Sequence, residues 1–141
     1  MDSIKIEQYM NHYPVKFTAD MVIEEASFRL LKTKQIGGPV VDSANRLIGY
    51  LSESDLLKKM LESSYFHQHI ADVSDLMQTE VLSVKPYDNI VELAQKMLAG
   101  NKPKIYPVVD DNGKLVGTIS RNEVLMAVDK HLRAAYHLSD Q

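Results

Sequence analysis

The feature that most constrains this chain is that it repeats itself. Residues 39–52 read PVVDSANRLIGYLS and residues 107–120 read PVVDDNGKLVGTIS. At an offset of 68 they match at Pro39/Pro107, Val40/Val108, Val41/Val109, Asp42/Asp110, Leu47/Leu115, Gly49/Gly117 and Ser52/Ser120. Upstream, Met10 pairs with Met77, Val15 with Leu82 and Phe17 with Val84 at an offset of 67. Pairing Ala26 with Ala94 at 68 places one extra residue in the second copy, near Tyr87-Asp88. The two halves are residues 1–66 and residues 67–141, the latter ending in a C-terminal helix.

Each half carries the same element signals. A short apolar strand comes first, Pro14–Phe17 and then Val81–Val84. A helix is predicted near Met21–Lys34, with Val22, Ile23, Ala26, Leu30 and Leu31 at helical spacing, and near Asn89–Ala99, with Ile90, Leu93, Ala94, Met97 and Leu98. Asn89 is the expected N-cap of the second of these and Gly100 its stop. Two strands then flank a tight turn, Asp42–Asn45 in one copy and Asp110–Gly113 in the other. Another helix opens after Ser52 and again after Ser120. The unit is β-α-β-β-α. One such unit leaves a sheet face bare, so the expected α+β fold packs two of them as a pseudo-two-fold pair.

Composition then removes whole classes of function. The 141 residues include no Cys, which excludes disulfides, thiolate metal sites and cysteine nucleophiles. The net charge of −3 is evenly spread, so nothing supplies the basic field that nonspecific nucleic-acid binding needs. The longest strictly apolar run, Val124–Val128, is far short of the roughly 20 residues that cross a bilayer. The N-terminus lacks the basic start and apolar stretch of a signal peptide, which points to a cytoplasmic protein. His67-Gln68-His69 invites a metal reading, but no further ligand completes a shell. No Walker loop, nucleophile elbow or GxGxxG is present, and the expectation is that the chain is not an enzyme.

The segments after the third strands carry the chemistry. Gly49-Tyr50-Leu51-Ser52-Glu53-Ser54-Asp55 and Gly117-Thr118-Ile119-Ser120-Arg121-Asn122-Glu123 fit Ser-x-x-acid capping boxes. They equally fit a nucleotide site. A helix N-terminus offers free N–H groups to phosphate, a carboxylate one turn on accepts from ribose hydroxyls, and a glycine admits a flat group close to the strand. Both readings stand at the level of residues.

The repeat, the PVVD hairpin and the Gly-x-x-Ser-x-x-Asp ending resemble the cystathionine-β-synthase (CBS) domain, found in tandem as a Bateman module. The resemblance covers about residues 8–130. It implies a stand-alone regulatory module that senses an adenosine-containing ligand (AMP, ADP, ATP or S-adenosylmethionine) in clefts between the repeats, with no required cofactor. Carried over, the first cleft takes Gly49, Ser52 and Asp55 from one repeat. Facing them are Thr79, Leu82, Val84, Lys104, Ile105 and Tyr106 from the other, with Arg121 nearby. Asp55 would hold ribose, Ser52 and Lys104 phosphate, and Ile105 and Tyr106 adenine. The second cleft takes Gly117, Ser120 and Glu123 against Asn11, Val15, Ile36, Gly37 and Gly38. Its longer acid, and its glycine pair without a cation, favour occupancy of the first. The amphipathic stripe Val124, Leu125, Val128, Leu132 and Ala135 either covers its own sheet or, as in the family, pairs two modules into a homodimer. An unknown effector protein is the other implied partner. The competing reading is a constitutive dimerisation or interaction module with vestigial clefts.

Overall fold

The computed structural model describes residues 3–66 and 71–136. The first repeat contains β1 (Phe17–Thr18), α1 (Ile23–Thr33), β2 (Gly37–Val41), β3 (Leu47–Ser52) and α2 (Glu53–Phe66). The second contains α3 (Ile90–Met97), β4 (Ile105–Val109), β5 (Leu115–Ser120) and α4 (Arg121–Ala135). β1 runs parallel to β2, and β2 antiparallel to β3; β4 and β5 form an antiparallel pair. Both hairpins carry an irregularity at the same repeat position, between Val40 and Val41 and between Val108 and Val109. Among the described residues no helix is long and apolar enough to cross a membrane.

The first strand of each unit is shorter than its apolar residues predict. Pairing is confined to Phe17–Thr18 in one copy and to a single bridge, Val84 with Val108, in the other. Pro86 explains the difference. It stands where Ala19 stands in the first copy, and it has no N–H with which to extend the ladder beyond Val84.

The register of the repeat also needs correcting. α1 buries Ile23, Ala26 and Leu30, and α3 buries Ile90, Leu93 and Met97. The offset is 67 throughout, so Ala26 corresponds to Leu93 and not to Ala94. The extra residue therefore lies beyond the helix, in the segment 98–104 that leads to β4, and not near Tyr87-Asp88. α1 runs to Thr33 and stops on a left-handed Lys34, whereas α3 stops at Met97 with the left-handed Gly100 beyond it. The helix of the second copy gives up its last turn to a longer loop.

The cores do not follow the repeat boundary. One is built of Val15, Phe17, Ile23, Ala26, Leu30, Val40, Leu51 and Leu56, but also of Ala71 and Val73, which precede the second repeat's own helix. The other holds Val84, Ile90, Leu93, Met97, Tyr106, Val108, Ile119, Val124 and Ala127 together with Ile6 and Met10. Backbone bonds hold each exchanged segment in place. Ile23 donates to Ala71 and Val73 to Met21, while Ile90 donates to Ile4 and Ile6 to Asp88. Each half thus lends its leading segment to the other.

A local two-fold relates the hairpins. Leu47 donates to Gly113 at 3.0 Å, and Leu115 donates to Asn45 at 2.9 Å. On α4 the expected stripe divides. Val124 and Ala127 face the core and Val128 packs against it, whereas Leu125 is 66% exposed and Leu132 is 39% exposed.

Candidate functional site

A cavity of about 550 Å³ opens between the two repeats. Repeat one contributes Ile36, Tyr50 and Ser52; repeat two contributes residues from Gln78–Leu82 and from 101–107. Its volume falls within the roughly 300–1,000 Å³ usual for small-molecule sites. The alternation of strands selects its lining. On β4, Ile105 and Pro107 face the cavity while Tyr106 and Val108 face the core. On β3, Tyr50 and Ser52 face the cavity while Leu51 is buried behind them.

Four residues expected in the first cleft meet here: Ser52, Leu82, Lys104 and Ile105. Tyr106 does not join them; it is only 3% exposed and belongs to the second core, because it alternates with Ile105. Val84 is buried for the same structural reason, being bridged to Val108 inside that core. Thr79 lines a different cavity of about 250 Å³ with Leu47, Ile48 and Val109. Arg121 is exposed at the start of α4, and its backbone N–H donates to the Lys104 carbonyl.

The motif glycines also do something other than admit a ligand. A Cβ on Gly49 would lie 2.8 Å from Met77 Sδ and 2.9 Å from the Gln78 carbonyl. On Gly117 it would lie 2.5 Å from the Asn11 carbonyl. Both glycines make room for the segment lent by the other repeat, which bridges Tyr50 to Gln78 and Asn11 to Thr118.

The capping boxes form as the spacing predicts. Asp55 Oδ2 accepts from the Ser52 N–H at 3.3 Å, and Ser52 Oγ accepts from the Asp55 N–H at 3.1 Å. In α4, Glu123 Oε1 accepts from the N–H and hydroxyl of Ser120, and Ser120 Oγ accepts from the Glu123 N–H. Asp55 borders a separate cavity of about 280 Å³ with Lys58, Lys59, Glu62, Asp75 and Leu76.

The second-cleft set is dispersed. Ile36 lines the large cavity instead, beside Ser52. Val15 is buried in the first core, with Gly38 packed tightly against its carbonyl. Gly37 lies against the Tyr50 ring, and Asn11 is paired through its backbone to Thr118. Gly117 borders a cavity of about 230 Å³ whose other walls are His12, Tyr13, Pro14, Lys16, Leu115 and Val116.

Eight lining residues escaped the sequence reading, Lys102 and Tyr50 among them. Lys102 enters the wall because segment 98–104 is one residue longer than its counterpart, a difference that the helix offset of 67 and the strand offset of 68 together reveal. Tyr50 follows from Ser52 by the period of two along β3. Among the described residues neither Lys102 nor Lys104 is engaged in an ion pair, and Glu80 is the only acidic side chain in the wall. No group of three or more His, Asp or Glu suited to a metal occurs among the described residues; His67-Gln68-His69 lies outside them.

Comparison with known proteins agrees with this architecture. An uncharacterised protein of Methanocaldococcus jannaschii, MJ1426, is 28% identical over a 127-position alignment covering 69% of this chain and 75% of its own. The zinc metalloprotease MJ0392 of the same organism is 32% identical over 89% of this chain, but that match spans only 32% of the protease. Among solved structures, CBSX2 of Arabidopsis thaliana in complex with AMP superposes with a TM-score of 0.76 at 27% identity, covering 92% of this chain and 98% of that one. The CBS domain family model matches twice, at residues 6–62 and 73–130, each match taking in one strand–helix–hairpin–helix unit, and on that ground the chain belongs to the CBS domain family as a tandem pair.

Proposed function

We propose that this chain is a regulatory module that binds an adenosine-containing nucleotide in the cavity between its repeats and performs no chemistry of its own. The observation that carries the reading is the composition of that cavity. Ile36, Leu82 and Ile105 offer an apolar surface to a base, while Lys102 and Lys104 supply two uncommitted ammonium groups for phosphate beside the Ser52 hydroxyl. The AMP complex of the similarly folded CBSX2 supports the same ligand class. Asp55 is the proposed ribose acceptor. It borders the neighbouring cavity of about 280 Å³ rather than this wall, but it is hydrogen-bonded to Ser52, which is part of this wall; a ribose reaching past Ser52 would meet the Asp55 carboxylate oxygen that the cap leaves uncommitted. AMP, ADP, ATP and S-adenosylmethionine are the candidates, and the two lysines favour the phosphate-bearing ones.

Calorimetric titration of the four ligands, with adenosine as a phosphate-free reference, tests the reading. Binding is expected, with Lys104→Ala weakening nucleotides more than adenosine. Asp55→Ala should weaken all of them more than tenfold, the loss of a charged hydrogen-bond acceptor being about 1.5–3 kcal/mol. If Asp55 serves only as a cap, the variant instead loses about 1 kcal/mol of stability and binds as wild type. Absence of binding at millimolar ligand removes the sensor reading.

The alternative, a constitutive dimerisation module, draws on the outward helix faces. Phe28, Leu31, Leu57, Leu61 and Leu125 are all exposed on α1, α2 and α4. Exposed apolar side chains of this kind favour association, and a homodimer through them is compatible with either reading. Light scattering should give twice the 16.0 kDa of one chain. An effector protein and a cytoplasmic setting complete the proposal.

A further inference from the structure

The two hairpins differ by a reciprocal exchange of bulk. In the first, Gly37 on β2 is combined with Tyr50 on β3; at the same positions of the second stand Ile105 and Thr118. The exchange is steric. A Cβ at position 37 would lie 2.7 Å from Tyr50 Oη and 3.0 Å from its Cε1, so the missing side chain of Gly37 is the space that the end of the Tyr50 ring needs. Thr118, by contrast, is short and only 5% exposed. Both bulky members, Tyr50 and Ile105, line the same large cavity, one from each repeat.

Tyr50 is held firmly. Its backbone N–H donates to Gln78 and its carbonyl accepts from Gln78, both at 2.9 Å, so β3 is clamped by the segment lent from the second repeat. Its hydroxyl has no hydrogen-bond partner among the described residues. Burial pushes the phenol up to about 12, and the charges of Asp55 and Glu53 push in the same direction. The group is therefore a neutral donor throughout the physiological range, on a half-buried residue that lines a ligand-sized space, and unused by the protein.

We infer that Tyr50 is a specificity-determining residue of the cavity, whose hydroxyl donates a hydrogen bond to an acceptor on the bound nucleotide while its ring and Ile105 form the surface that contacts the base. The inference rests on the proposed nucleotide reading. A half-buried donor discriminates against ligands with no acceptor in reach, since they leave it desolvated and unpaired.

The test is titration of AMP, ADP and ATP into wild type and Tyr50→Phe, with the melting temperature and the tyrosine ultraviolet difference spectrum measured alongside. Tyr50→Phe should bind threefold to tenfold more weakly at an unchanged melting temperature, corresponding to one neutral hydrogen bond. The difference spectrum that wild type shows on binding should disappear in the variant. Wild-type affinity in Tyr50→Phe overturns the inference and leaves the nucleotide reading intact. A weakened affinity accompanied by a lowered melting temperature and an unchanged difference spectrum also overturns it, by making Tyr50 structural. Failure of wild type to bind any of the three overturns both.

Discussion

Tyr50 shows how one side chain couples site and stability. The folded protein holds its phenolic proton more tightly than the unfolded chain, whose tyrosines ionise near pH 10. Stability from this group is therefore full below pH 10 and is lost as pH rises from 10 toward 12. Urea midpoints measured from pH 9 to 12 should fall in wild type, and fall less steeply in Tyr50→Phe. Tyr106, raised by burial, and Tyr87, raised chiefly by its hydrogen bond to Asp111, leave a residual slope in the variant. Asp42 acts at the other end of the scale. The N–H of Arg46 holds its carboxyl below the usual range, so the turn it closes weakens as pH falls through that lowered value.

At the scale of elements, the two copies of the first helix are an internal comparison. Asn89 caps α3, its Oδ1 accepting from the N–H groups of Val91 at 2.7 Å and Glu92 at 3.3 Å. Val22 occupies the same position before α1 with the same extended backbone, but it offers no acceptor. Asn89→Ala should cost about 1 kcal/mol in chemical denaturation. Val22→Asn, conversely, should stabilise by about 0.5–1 kcal/mol, because the backbone is already in a capping conformation and the side chain is exposed. A destabilised Val22→Asn would mean that the outer face of α1 near Val22 is covered, as a dimer would cover it. The strands offer a parallel lesson, since Pro86 alone reduces the first strand of the second copy to one bridge.

For the whole molecule, the exchange of leading segments makes two repeats into one cooperative unit. Ile6 is fully buried in the core of the second repeat, and Val73 is fully buried in that of the first. Neither core is complete without the other half of the chain, so thermal unfolding should be a single transition with equal calorimetric and van't Hoff enthalpies. Two resolved transitions would show that the halves fold independently. Ile6→Ala should destabilise the protein by about 2–5 kcal/mol although it lies near the chain terminus, because it leaves a cavity among Val84, Ile90 and Leu93.

Helices, hairpin turns and caps were legible because their signals are local. Ile23, Ala26 and Leu30 recur at helical spacing, Asp42 and Asp110 close their turns on nearby N–H groups, and Ser52 and Ser120 reach the acids three residues on. The repeat itself implied a paired fold, since one copy leaves a sheet face bare. Strand alternation, a local period of two, also places Ile105 and Tyr106 on opposite faces of β4. What only the tertiary structure decided was which residues from distant stretches share a wall. Ile36 faces Ser52 and Lys104 instead of the second cleft, Gly37 yields to Tyr50, and Gly49 yields to Met77. These placements depend on the approach of segments some tens of residues apart. Spacing along the chain specifies which face of an element a side chain occupies, but the partner across that face is set by how the elements pack, and here they pack by exchanging their first segments.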